Sequence, residues 1–188
     1  MAEDSTQPPD ATRFIETTRG ILSYAQLAPL LAERVLRIQE DIEDEVYAPR
    51  ILEEALLLDF HLRICGDLMP DWAGRFRTSE VKVGQHSPPP SHQVPILMRD
   101  YFADLNARLQ LGAPEETDIL LESLAFAEGR LLYIHPFPDF NGRVTRLLLS
   151  ELLDAQICRR WNSPQRVERQ RKNISRRYER RTLPSGAS

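Results

Sequence analysis

The sequence predicts a mostly α-helical bundle with one small β-hairpin. Three observations predict it. Apolar residues recur at helical spacing through most of the chain, between proline and glycine breakers. One short stretch near Glu80 alternates polar and apolar residues instead. And 188 residues suit one domain able to bury its own core.

Residues 1–11 hold three acids and two prolines with no apolar period, and are expected to be disordered. From about Thr17 the pattern turns helical, with Ile21, Leu22, Leu27, Leu30, Leu31, Val35 and Ile38, and Pro29 is expected to begin or kink the helix. A second helix is expected from about Pro49 to Leu68, stopped by Gly66 and Pro70. Trp72-Ala73-Gly74-Arg75-Phe76-Arg77 reads as irregular. Glu80-Val81-Lys82-Val83-Gly84 reads as a short strand running into Pro88-Pro89-Pro90, which pair along a strand only at an edge. That segment is either a surface loop or an exposed hairpin offering free backbone groups to a peptide.

Helix returns from Pro95 to Leu109, with Ile96, Met98, Tyr101, Phe102 and Leu105 on the buried side. Gly112-Ala113-Pro114 breaks it. The next helix, from Glu115 and Glu116 to about Ile134, is apolar on most sides, as a central helix would be. A last long helix starts near Gly142 and carries Leu147, Leu148, Leu149, Leu152 and Leu153.

Composition excludes several classes. No stretch approaches the ~20 apolar residues of a membrane span. The first residues are acidic, with no apolar run behind them, so no signal peptide is read and the expected location is cytoplasmic. Cys65 and Cys158, far apart in apolar surroundings, give neither a disulfide framework nor a four-thiolate zinc site, and are expected to be buried. The formal net charge of −4 divides into +8 over Arg159–Arg181 and −12 elsewhere. The basic tail reads as a solvated terminus in preference to a nucleic-acid arm, because it carries no binding motif.

The informative segment is His135-Pro136-Phe137-Pro138-Asp139-Phe140-Asn141-Gly142-Arg143-Val144-Thr145-Arg146. Asn141, Gly142 and Arg143 open the last helix, so free amides and the positive dipole end face the loop and suit an anion. Gly142 permits close approach to phosphate. Arg143 and Arg146, three apart, add two guanidinium forks suited to a polyphosphate. Asp139 beside this cradle would repel phosphate unless a cation such as Mg²⁺ lies between. His135, at the end of the preceding helix, can take a proton from a hydroxyl near neutral pH. Rival motifs are missing: there is no P-loop, no Gly-x-Gly-x-x-Gly and no Gly-x-Ser-x-Gly. His61 reads as a core or interface histidine, and His86 and His92 as loop surface.

The segment resembles the Fic domain signature, H-P-F-x-[DE]-G-N-G-R-x-x-R. Trp72–Thr78, Val81–Pro95 and Leu124–Arg130 also look like Fic proteins, so the likeness covers roughly Thr17 to Ile157. It implies a Fic-type helical bundle with a hairpin flap over residues 12–157, followed by the basic tail, 158–188. It also implies a protein AMP-transferase that moves AMP from Mg-ATP to a Tyr, Ser or Thr hydroxyl of a target protein. By likeness, His135 is the general base, Asp139 holds Mg²⁺, Asn141, Gly142 and Arg143 form the anion hole, and Arg146 reaches the terminal phosphate. Val81, Lys82, Val83 and Gly84 form the flap that registers the target by strand addition.

Two departures qualify the resemblance. Phe140 stands where the family has glycine, which is costly if the position needs positive φ. The change leaves open phosphate transfer, as in Doc-like relatives, or a catalytically impaired nucleotide-binding module. The inhibitory [ST]-x-x-x-E-[GN] pattern is matched only in part, at Thr12–Glu16 and Ser175–Glu179, with Glu16 preferred. The alternative is a separate antitoxin protein, as in a toxin–antitoxin pair. A homodimer is a further partner expectation. Nucleic acid and membrane are not expected.

Overall fold

A computed structural model describes residues 14–44, 52–111 and 117–161. The N-terminal segment 1–11 and nearly all of the basic tail lie outside the described residues.

The chain first forms a two-stranded antiparallel ribbon, β1 (Phe14–Thr17) and β2 (Gly20–Ser23), with Phe14 opposite Ser23 and Thr17 opposite Gly20. This corrects the expectation of helix from Thr17. Ile21 and Leu22 belong to a strand, and their period of two was hidden by the apolar run that follows. Ile15 faces Leu22 across the ribbon, and both pack on the core. Thr18 at the turn ties the ribbon to the bundle, its amide donating to the Leu68 carbonyl at 2.9 Å and its hydroxyl to that of Asp67 at 2.7 Å.

The first helix, α1 (Tyr24–Glu43), starts at a capping box. The Ser23 hydroxyl accepts from the Gln26 amide, and the Gln26 side chain accepts from the Ser23 amide at 2.8 Å. The box starts the helix before Pro29, which lies inside it. Helix α2 (Glu54–Cys65) ends at Gly66, as expected. Arg34 of α1 caps that end, donating to the Ile64 carbonyl at 3.0 Å and to Asp67 at 2.7 Å. Next come a 3-10 turn (Ser91–Gln93), α3 (Val94–Leu111), α4 (Thr117–Ile134) and α5 (Asn141–Trp161). The last helix runs past the expected domain boundary at residue 157.

The central helix is α5, not α4. Val144, Leu147, Leu148 and Leu152 of α5 are buried, and α1, α2 and α4 all pack on it. Helix α4 buries one stripe, Ser123, Ala127, Leu131 and Ile134, against α3 and α5. Its Leu121 is 57% exposed, so its all-round apolar composition does not report its position. Ile96 of α3, expected inside, is likewise exposed, while Met98, Tyr101, Phe102 and Leu105 are buried. Cys65 is buried and unoxidised, and Cys158 falls where side chains are not described.

Candidate active site

The segment before the cleft is a hairpin reduced to one bridge. Val83 and His86 exchange both backbone hydrogen bonds, at 3.0 and 2.9 Å, around a turn with Gly84 at φ 60°. The ladder stops there for a chemical reason. The residue opposite Val81 is Pro88, which has no amide to give, and Pro89 and Pro90 follow. Strand alternation turns the backbone of Lys82 to the opposite, open edge. The segment is fixed at its base: the Ser91 amide donates to Glu80 at 2.9 Å and its hydroxyl to the Thr78 carbonyl at 3.1 Å. His86 donates to the Tyr133 carbonyl at 3.1 Å and lies against the Tyr133 ring, so it is docked on α4 and not simply loop surface.

Arg77 organises the region where flap and helix end meet. It is 2% exposed. Its guanidinium donates to the carbonyls of His135 (2.8 Å), Pro89 (2.5 Å) and Ser79 (3.1 Å), and its amide donates to that of Pro136 (2.8 Å). A buried cation thus sits at the negative end of α4 and joins it to the flap.

His135 follows the last residue of α4 and adopts φ 51°, the left-handed cap conformation usually given to glycine. A neutral imidazole keeps one ring nitrogen with a free lone pair. Burial pulls its pKa below the ordinary value, with Arg77 and His86 acting in the same direction against Leu132 and Asp139. The imidazole is therefore neutral near pH 7, as a base must be.

The loop between α4 and α5 is braced from inside. The Asn141 side chain accepts from the Phe137 amide at 2.9 Å and donates to the Phe137 carbonyl at 2.8 Å. Its side chain is thus consumed by the loop, and only its amide is left to serve an anion. His61 of α2 accepts from the Gly74 amide at 3.0 Å, donates to the Asp139 backbone carbonyl and stacks on Phe137 with ring centroids 4.0 Å apart. Burial pushes its pKa down to about 4, so it is a neutral structural histidine.

Phe140 does occupy the left-handed region, at φ 60°. Its ring does not plug the cleft. It is 3% exposed and stacks on Trp72 with centroids 5.9 Å apart. The strain of the missing glycine is carried by this packing. Asp139 accepts the Phe140 amide on one carboxylate oxygen at 2.8 Å.

These parts converge on one cleft of about 510 Å³. His135, Asp139, Phe140, Arg146 and the first turn of α5 with Arg143 line it. Val81, Lys82, Val83 and Gly84 of the flap line the same cleft. A Cβ at Gly142 would meet the Arg146 guanidinium at 3.6 Å, an ordinary van der Waals contact. The amides of Asn141 and Gly142 have no intrahelical acceptor, as the first turn of any helix dictates. Among the described residues no cluster of three His, Cys, Asp or Glu could hold a metal by itself. A hard cation placed here would have the Asp139 carboxylate as its protein ligand.

Residues missed from the sequence are Tyr24 and Arg77, whereas His61 is the core histidine that the sequence suggested. Tyr24 lines the cleft and accepts a hydrogen bond from Arg143, 119 positions away, a distance no local pattern spans. Glu16 lies exposed on β1 opposite Ile21 and is not among the cleft residues. Ser175 and Glu179 lie outside the described residues.

Residues 51–153, more than half of the chain, match the model of the Fic/DOC family. The chain belongs to the Fic/DOC family. It is 39% identical over 98 residues to the protein adenylyltransferase Fic of Aedes aegypti, a stretch that is 52% of this chain and 18% of that protein. The corresponding protein of Culex quinquefasciatus is 39% identical over 100 residues, with the same coverage. The chain thus spans under a fifth of these relatives' length. Among solved structures, the BepC effector of Bartonella tribocorum with bound AMPPNP superposes with a TM-score of 0.61 at 17% identity, over 78% of this chain and 76% of that one. The N-terminal Fic domain of a Bartonella quintana protein gives 0.60 at 18% identity, over 78% and 72%. These likenesses show the Fic fold. No helix among the described residues is long and apolar enough to cross a membrane.

Proposed function

We propose that this Fic domain transfers AMP from ATP to a hydroxyl side chain of a target protein. The observation that carries the reading is the shared cleft, in which a neutral imidazole, one carboxylate, a helix N-terminus and two guanidinium groups face one space. It is supported by the adenylyltransferase relatives and by the AMPPNP in the BepC neighbour.

In this reading the triphosphate lies along the first turn of α5, on the amides of Asn141 and Gly142, with Arg143 and Arg146 on its oxygens. The target hydroxyl enters beside the flap, its backbone registered on the open edge at Lys82. His135 takes the hydroxyl proton on its free nitrogen, the oxygen bonds to the α-phosphorus, and the bond to the β-phosphate breaks to release pyrophosphate. Asp139 would hold a Mg²⁺ ion, which would supply charge neutralising the phosphates. Catalysis here is positioning plus charge stabilisation. Target proteins, an antitoxin partner, a second copy of the chain and a cytoplasmic setting belong to the same proposal.

The test uses ATP labelled at the α or the γ position with cell extract and the purified protein. Label from the α position, lost in His135→Ala, supports AMP transfer. Label only from the γ position assigns phosphate transfer instead, and binding without any turnover assigns an impaired module.

A further inference from the structure

The Arg143 side chain is not a free surface arginine. Its guanidinium carbon lies 5.3 Å from the centre of the Tyr24 ring and 5.5 Å from that of Phe140. It also donates a hydrogen bond to the Tyr24 hydroxyl. Two aromatic rings from distant parts of the sequence thus hold one cation at the rim of the cleft. Each ring is itself fixed. Tyr24 is the first residue of α1, behind the Ser23 capping box, and Phe140 is buried on Trp72. The position that departs from the family signature is one of the two rings.

We propose that Tyr24 and Phe140 are positioning residues that hold Arg143 in its phosphate-binding pose, and so set the affinity for the polyphosphate of the nucleotide. An arginine side chain has many rotamers, and a bound phosphate must restrict them. Holding the guanidinium against two rings restricts them before the nucleotide arrives, which strengthens binding by preorganisation. The Tyr24 hydrogen bond engages one terminal nitrogen, leaving the other donors of the fork for phosphate oxygens. The inference rests on the nucleotide reading above and names what tunes that site.

Calorimetry with ATP, AMP and adenosine tests it on the wild type, Tyr24→Phe, Tyr24→Leu, Phe140→Leu and Arg143→Ala, with thermal melts to confirm folding. The expected result is ATP binding weakened about three-fold in Tyr24→Phe and about ten-fold in Tyr24→Leu and Phe140→Leu. AMP should weaken less and adenosine not at all. A merely structural role would weaken all three ligands alike, and that result overturns the proposal. So does wild-type or tighter ATP binding in both Tyr24 variants, which would make Tyr24 neutral or a competitor for the arginine. If Arg143→Ala binds ATP as the wild type does, the phosphate-site reading itself fails. If Arg143→Ala weakens ATP and the ring variants do not, only the positioning proposal fails.

Discussion

His135 and Phe140, at the two ends of the loop between α4 and α5, both hold left-handed backbone, with φ 51° and 60°, and they are the only non-glycine residues among those described to do so. Strain is thus concentrated in the segment that carries the chemistry. Each such residue costs roughly 1–2 kcal/mol, which surrounding packing must offset. Arg77 on the His135 carbonyl and the Trp72 stack on Phe140 supply that packing.

Restoring the family glycine should therefore not stabilise the protein. Phe140→Gly relieves about 1–2 kcal/mol of backbone strain. It also empties a buried aromatic site, a loss of about 3–5 kcal/mol. We expect a net loss of about 1–4 kcal/mol in urea unfolding, with a changed Trp72 emission spectrum. A rise in stability would show that the ring contributes less than the strain it imposes.

Arg77 should matter beyond its charge. Arg77→Met removes donors from buried carbonyls at the α4 end and the flap base, an expected loss of about 2–4 kcal/mol. Hydrogen exchange should quicken at the Val83 and His86 amides, whose mutual bonds depend on a fixed base. Unchanged exchange there would separate the flap from the arginine.

Buried His61 and half-buried His135 make different kinds of pH prediction. His61 has a folded pKa of about 4 against an unfolded 6.5, so the unfolded chain takes up its proton first as pH falls. Its contribution is intact above 6.5 and is lost between 6.5 and about 4, to the extent of about 3 kcal/mol. Unfolding free energies of wild type and His61→Gln, measured from pH 8 to pH 4, should converge by about that amount. A constant difference would show that His61 does not titrate on unfolding.

His135 is read instead through rate. Its pKa lies below the usual histidine value because it is buried, with Arg77 and His86 nearby. The acid limb of kcat/KM for transfer should therefore fall below pH 6.5, and Arg77→Met should move it upward. His135→Ala should lose transfer by at least about a hundredfold while keeping nucleotide affinity, since a base acts on the hydroxyl and not on the phosphates. Loss of nucleotide binding in that variant would reassign the residue to the binding site.

The sequence alone determined the helical class and the chemistry between His135 and Arg146. Both are local properties: apolar spacing needs one turn of helix, and the base, acid, helix N-terminus and arginines lie within twelve consecutive residues. Only the tertiary structure decided which helix is central, because burial depends on what packs against an apolar face and not on how apolar it is. It also decided that the first strands pair with each other, that three prolines hold the flap to one bridge, and that the Asn141 side chain is spent inside its loop. Tyr24 on Arg143 and Arg77 on His135 join residues remote in sequence, and such contacts exist only once the bundle has closed.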